Sequence, residues 1–586
     1  MNPIFSYDYF YPLLFFFVLL YWIVKASVNK VAVVKSITLT LSVLDIVMLL
    51  FASVIFTGTI SNYGFFKIQN HYTLFVAVFL YAFVKILVSV YAHEYILRAI
   101  GVTLVLLSGI EIVIGFLQFI HFLETNSVFY SVTGSFNSPT DYSNFLCSTL
   151  GFFIFSPILS GRSTSPKFQL ICRVMFVLLN LVAIIGFTES RMSWITCIAL
   201  LAITLWMESD KIDLSKFKVI LKVNKYIFCG SVALIATLLL VFLVSMKQGS
   251  TTGRLFVMMN ELSILKSNFL YGVGFGNFNH YYNNYQADYF RSHPNSSYEA
   301  FASYINVGYS EYLQLLVEGG LASLILLILI FTRLVKIGKN IKNNSDLVKG
   351  CFLSLISILL LGIFSFPFRS FFTFTNLIIF LAVSASIDKS VFSLKPGTRI
   401  MKFVISGTAL ALLILFGRIY KTYNALTLWQ TMLNYSKHQP MDQSTITETY
   451  VQTFHELSTD EGYLQAYATY LSRNNKIKES TELLNLATVY SGYYMLYATL
   501  GMNYFKMADH KNAEKCFLTA AYMVPNRFVP KKLVMAYFIA TGKNDKAILW
   551  AKNIISYKVK VPSKEVDLIK RSANKFLIES NYVYKK

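Results

Sequence analysis

Two arginines and a few carboxylates stand where charge is costly, and they are the residues of this sequence with chemistry to offer. Glu189 and Arg191 lie in FTESRMSW (187–194), between the apolar runs ICRVMFVLLNLVAIIG and ITCIALLAITLW. Roughly 2.5–3.5 kcal/mol is the insertion cost of a charge at the centre of a membrane-spanning helix. Arg254 opens RLFVMMNELSILKSNFL, whose apolar residues fall at near-helical spacing, as in an amphipathic helix on a membrane surface. Thr251 or Thr252 is expected to cap its start, putting Arg254 in the first turn beside unpaired backbone N–H groups. Amides and a guanidinium together favour an anionic phosphate. Glu311 and Glu318 share one helix near the point where it enters the membrane, where a carboxylate must be paired or used. Pairing with Arg254 or Arg191 is the structural alternative. For Arg191 the plain alternative is snorkelling to headgroups with Glu189 as its partner.

The elements that must hold these residues are apolar helices. The chain has 586 residues, 55% of them hydrophobic and only 14% charged; about 25% charged is ordinary for a soluble domain. Apolar runs long enough to cross a bilayer of about 30 Å recur to about residue 420, and the chain then turns polar. About twelve spans are expected, near 9–24, 38–56, 71–90, 98–120, 142–160, 169–187, 191–207, 226–246, 312–334, 350–367, 371–388 and 403–420. The expected fold is therefore all-α: a polytopic membrane domain over 1–420 with a large outer loop at 247–311, then a soluble helical domain over 421–586.

The net charge of +22 is mostly a topology signal. Clusters such as Lys211, Lys216, Lys218, Lys222 and Lys225, or Arg333, Lys336, Lys339 and Lys342, fall in short loops that stay in the cytoplasm. This argues against nucleic acid as a partner. With every basic loop inside, the N-terminus, 57–70, 121–141, the bend near 188–190, 247–311, the bend near 368–370 and everything after 420 lie outside. Lys67, Arg191, Lys247, Arg254, Lys266, Arg291 and Arg369 are the basic residues this rule leaves unexplained. Six cysteines give no disulfide framework, since only Cys516 is in the soluble region. No His or carboxylate cluster has metal-ligand spacing, so neither metal nor cofactor is expected. The first apolar run lacks the basic flank and cleavage site of a signal peptide.

The outer loop adds Gly272, Gly274 and Gly276 in YGVGFGNF, whose spacing reads as a tight turn rather than a dinucleotide fingerprint. HYYNNYQADYF, which follows, suits either an interfacial aromatic belt or a sugar-stacking surface. In the tail, Leu500, Gly501, Tyr504, Ala513, Phe517, Ala520 and Pro525 fall on the positions of a tetratricopeptide repeat of about 34 residues. Such repeats stack into an α-solenoid with a face for peptide or protein. The tail's 22 Lys and Arg exceed its 13 Asp and Glu, which favours acidic partners or a merely solvated surface.

YGVGFGNF followed by SEYLQLLVEGGLASL resembles the signature of the O-antigen ligase superfamily. That superfamily takes in lipopolysaccharide O-antigen ligases, bacterial protein O-oligosaccharyltransferases and O-antigen polymerases. GSFNSPTDYSNFL (134–146) resembles its G-x-F-x-N-P-N motif, TESRMSW its S-R motif and TGRLFVM its G-R motif, in the right order over about 120–330. The resemblance implies metal-free transfer of a glycan from undecaprenyl diphosphate to a hydroxyl acceptor, outside a bacterial inner membrane. It also implies that Arg191 and Arg254 hold the donor diphosphate. The family's His-Asn before E-Y-L is Tyr309–Ser310 here, and the motif asparagines are Ser138 and Thr140. Another base is then required. Glu311 is the nearest, with His280 and His293 on the same loop, and Glu189, Gly274, Gly276, Glu318 and Arg369 in support. Lipid A-core or a Ser/Thr of an exported protein is the expected acceptor, the external repeats favouring protein. A polymerase is the enzymatic alternative, and a lipid-linked glycan flippase or a scaffold the non-enzymatic one. A transporter should carry charges near mid-membrane, where only Asp45, Lys85 and Glu111 stand out.

Overall fold

The computed structural model describes residues 16–18, 20–21, 38–63, 68–91, 93–127, 129–156, 165–208, 248–559 and 562–580. The expected span at 226–246, and most of that at 9–24, lie outside these residues. The chain is an all-α polytopic membrane protein. Its helices are, in order, α1 (Val43–Tyr63), α2 (Ile68–Val90), α3 (His93–Phe119), α4 (Pro139–Phe155), α5 (Pro166–Gly186), α6 (Arg191–Met207), α7 (Gln248–Ser267) and α8 (Phe278–Ser292). Then come α9 (Glu311–Asn340), α10 (Asp346–Leu361), α11 (Phe371–Ser386) and α12 (Thr398–His438). The tail holds α13 (Gln443–Leu457), α14 (Glu461–Arg473), α15 (Ile477–Tyr490), α16 (Tyr494–Lys506), α17 (His510–Met523), α18 (Phe528–Ala540), α19 (Asn544–Ser556) and α20 (Lys564–Glu579). Among the described residues five helices are long and apolar enough to span: Thr73–Val90, His93–Phe119, Pro166–Gly186, Glu311–Asn343 and Arg399–His438. Val43–Gly58, Arg191–Met207 and Phe371–Ser386 are shorter apolar helices.

The contacts divide into two compact units. One takes Met1–Leu243, Tyr309–Tyr312 and Ala322–Gln430; the other takes Val244–Gly308, Leu313–Leu321 and Thr431–Lys586.

The first unit is built on close helix approach. A Cβ added to Gly151 of α4 would lie 2.4 Å from the Ser354 amide nitrogen of α10, and one on Gly350 would lie 2.9 Å from the Phe152 carbonyl. In lipid, where apolar burial gives little drive, small residues of this kind let backbones meet and side-chain hydrogen bonds add to the packing. Ser354 Oγ accepts the Phe152 N–H (2.7 Å) and Asn376 of α11 donates to Ser148 Oγ of α4 (2.8 Å). Lys85 lies 2.9 Å from Asp45, which also accepts from Tyr81; Asp45 is in the first turn of α1, so this pair stands at a helix end and not at the expected mid-membrane depth. One feature departs from the all-helical expectation. Leu39–Ser42 (β1) and Ser390–Leu394 (β2) form an antiparallel two-stranded ladder with a bulge after Leu41. Each strand satisfies the other's backbone groups, so residues at the start of the expected span 38–56 are strand.

In the second unit, α14/α15, α16/α17 and α18/α19 are successive helix pairs, each packing on the next, with α20 closing the series. Asp460, Asp509 and Ser563 cap the starts of α14, α17 and α20 by accepting backbone N–H groups. Gly501 is needed because a Cβ there would meet the Phe517 ring at 2.9 Å. Helix α8 packs against α15 and α17. Asn279 Oδ1 accepts the Gly492 N–H (3.0 Å), Gln286 donates to the Met523 carbonyl (2.6 Å) and Tyr497 to Asn284 (3.2 Å). Glu461 accepts from Tyr304, Asn279 and Ser491. Burial first, then this carboxylate, pushes the Tyr304 hydroxyl well above its ordinary range.

Candidate functional site

In the first unit, four segments that the sequence places outside are tied together at one end by side chains. The first is the motif loop at 134–146. Glu111, expected near mid-membrane, instead accepts from the Ser135 backbone N–H of this loop (3.0 Å) and from Ser135 Oγ. Gln118 Oε1 accepts the N–H groups of Thr133 (3.0 Å) and Gly134 (2.8 Å). Gly134 has φ +60°, and a Cβ there would lie 2.5 Å from Glu111 Oε2, so only glycine fits. Ser138 then caps α4 by accepting the Asp141 N–H (3.1 Å), with Pro139 at the first helical position. Where the family has asparagine, this chain uses Ser138 as a helix cap.

The second segment is the bend at 187–190, joined to the first by hydroxyls. Ser193 donates to Ser143 (2.8 Å) and lies 2.8 Å from Ser190 Oγ. Ser190 is the N-cap position of α6, so Arg191 is the first helical residue, half-buried, and Glu189 precedes it exposed. The third is the bend at 362–370. Asn144 donates to Ser365 Oγ (3.1 Å). The fourth is the start of α9: Glu311 Oε1 accepts the Phe368 N–H (2.8 Å), and the Glu311 N–H donates to the Gly362 carbonyl (3.0 Å). Arg369, exposed, follows the residue whose amide holds that carboxylate. Tyr309 is half-buried, 6.5 Å from the Phe366 ring. The geometry thus brings Glu311 to the Arg369 bend, and the Arg191 bend to the motif loop.

The second unit holds Arg254, the glycine turn and Glu318. α7 runs back through Gln248, so Thr251 and Thr252 lie inside it rather than at its start. The expected capping is therefore not present, and Arg254 lies beyond the first turn of α7. Gly272, Gly274 and Gly276 have φ of +69°, +87° and +82°, the left-handed region that favours glycine. Their turn is stitched to a break in α9 at Gly320 (φ +54°). Val273 N–H donates to the Val317 carbonyl (2.9 Å), Gly274 N–H to the Glu318 carbonyl (2.8 Å), and Leu321 N–H to the Phe269 carbonyl (2.8 Å). These bonds satisfy backbone groups that the kink frees. A Cβ on Gly320 would lie 2.6 Å from the Gly272 nitrogen and 2.7 Å from the Phe269 oxygen.

Behind this turn lies a carboxyl that the sequence reading did not single out. Glu261 is fully buried, and neither oxygen has a hydrogen-bond partner among the described residues. Burial alone pushes its carboxyl up to about 8. A Cβ on Gly308 would lie 2.3 Å from Glu261 Oε1. Gln314 accepts the Gly308 N–H (2.9 Å) and donates to Glu318 Oε1 (3.0 Å). The signal was available: Phe256, Val257, Asn260, Glu261 and Ile264 form the buried stripe of α7, so an acid stands on a largely apolar face. His293 lies elsewhere on the loop, exposed at the end of α8, stacked on Tyr289 at 4.5 Å with Nδ1 2.9 Å from the Tyr289 carbonyl. His280 is half-buried on α8, with Nδ1 3.4 Å from Asn284. Among the described residues no group of His, Cys, Asp and Glu could hold a metal ion.

Compared along its whole length with curated proteins, the chain matches none. The family model described as O-antigen ligase matches residues 175–328. The matched segment contains Arg191, Arg254, Glu261, the glycine turn, Glu311 and Glu318, while the motif loop at 134–146 lies before it. Through that segment, well under half of the chain, the sequence is similar to the O-antigen ligase superfamily.

Proposed function

We propose that this protein moves a glycan en bloc from undecaprenyl diphosphate to a hydroxyl acceptor at the periplasmic face of a bacterial inner membrane. The observation that carries this reading is the joining of the motif loop, the Arg191 bend, Glu311 and the Arg369 bend at one end of the first unit. In the transfer, the acceptor oxygen attacks the anomeric carbon and the bond from that carbon to the diphosphate breaks. The electron pair leaves with the diphosphate, whose growing charge Arg191 and Arg254 would offset. The acceptor proton passes to Glu311, whose Oε1 accepts the Phe368 N–H. Tyr309 stands at the family's His position, and His293 is the next candidate base after Glu311. Glu189, Gly274, Gly276, Glu318 and Arg369 position these groups.

A Ser or Thr of an exported protein is favoured over lipid A-core as acceptor. The tail reads as a tetratricopeptide-like periplasmic domain, and its helices pack with the loop helix α8 in the unit that holds Arg254. Mass spectrometry of envelope glycoproteins and lipopolysaccharide, with and without this protein, tests the proposal. Loss of glycan from the acceptor with build-up of lipid-linked donor is expected. Unchanged glycan on both classes of acceptor overturns it, and shortened chains still on the lipid carrier indicate a polymerase.

A further inference from the structure

The first unit has a cavity of about 370 Å³ at the C-terminal end of α9, well away from the matched motifs. Arg333, Lys336, Lys339, Lys389, Asn340 and Asn344 supply its polar lining, and Asp388 is its one acid. That acid is committed: Arg333 reaches both its oxygens, at 2.9 and 2.6 Å, and the Leu44 N–H donates to it at 3.0 Å. Lys336, Lys339 and Lys389 have no ion-pair partner among the described residues, so three ammonium groups surround the space uncompensated. A cavity of this size is in the range of small-molecule sites.

A second observation says what kind of anion belongs there. Every residue of β2 is exposed, including Val391 (60%), Phe392 (55%) and Leu394 (53%). This apolar edge starts directly after Lys389, and the spanning helix that supplies the other lysines ends at Asn343. Exposed aliphatic and aromatic side chains beside lysines at the end of a span mark the headgroup level of a bilayer. A free anion would need the lysines and have no use for the apolar edge.

We propose that this cavity binds the phosphate of an anionic phospholipid headgroup, with Lys336, Lys339 and Lys389 around the phosphate and β2 against the acyl chains. The full chain is reconstituted in nanodiscs of phosphatidylcholine doped with phosphatidylglycerol, and retained lipid is counted by native mass spectrometry. Wild type retains phosphatidylglycerol selectively. The triple variant K336Q/K339Q/K389Q weakens that retention about a hundredfold, at about fivefold per lysine near the surface, and Lys402→Gln leaves it unchanged. Millimolar inorganic phosphate does not displace the lipid. Equal retention by wild type and triple variant overturns the site, and displacement by inorganic phosphate reassigns it to a free anion. Should the triple variant fail to fold, Lys339→Gln alone decides, with about a fivefold loss expected and no loss contradicting the proposal.

Discussion

Glu311 and Glu261 are both buried carboxyl groups of the matched segment, and the protein treats them in opposite ways. Glu311, in the first unit, receives a backbone amide and ties the start of α9 to the bend at 362–370. Glu261, in the second, receives no hydrogen bond and lies against a glycine backbone. Burial without a donor favours the neutral form of Glu261. The first unit therefore gives its acid a backbone partner, and burial in the second raises its acid's pKa to about 8, so that it keeps its proton at neutral pH. The difference separates chemistry from stability, and variants can pull the two apart.

The largest effect should come from the stitched kink of the second unit. Gly320→Ala places a Cβ on backbone at positive φ, and destabilisation of about 3 kcal/mol is expected, read as a lower thermal midpoint in detergent. An unchanged midpoint would mean that the turn at 269–274 does not constrain α9. Glu311→Gln should lower transfer by about a hundredfold, the ordinary contribution of a positioned base, with little change in midpoint. Glu261→Gln should do the reverse. Since the folded carboxyl sits near 8 against an ordinary 4.5, its stabilising contribution is complete below about 4.5 and is lost as pH rises through 8. Wild type should thus lose stability across that window and Glu261→Gln should not, while its transfer at neutral pH stays close to wild type. Parallel pH curves for the two would remove the contrast. The smallest effect is expected of Asn279→Ala, which removes the hydrogen bonds to Gly492 and Glu461 where the loop meets the tail. A loss of about 1–2 kcal/mol should appear as faster proteolysis at 491–493.

How much of this could be read from the sequence depends on the range of the interaction. The spanning helices were legible because apolar length is a local signal, and the ligase segment because several short motifs stand in order. The β1–β2 ladder was not: it pairs Leu39 with Leu394, strands too far apart in the chain for a local turn signal to announce them. Gly319–Gly320 reads as a weak spot in a helix, but only the Phe269–Gly274 turn explains why α9 breaks there. Glu261 was visible as an acid on an apolar stripe and was passed over because its neighbour Gly308 is 47 residues away in the sequence. The boundary placed near 420 falls inside α12, where apolar composition fades before the helix ends.

The most direct test of the account is to reconstitute the full chain with a lipid-linked glycan donor and a hydroxyl acceptor and to measure release of undecaprenyl diphosphate. Arg191→Ala and Arg254→Ala should each slow release by about a hundredfold or more, as loss of a charge-stabilising group in a transition state does. Release at the wild-type rate from either variant would contradict the account.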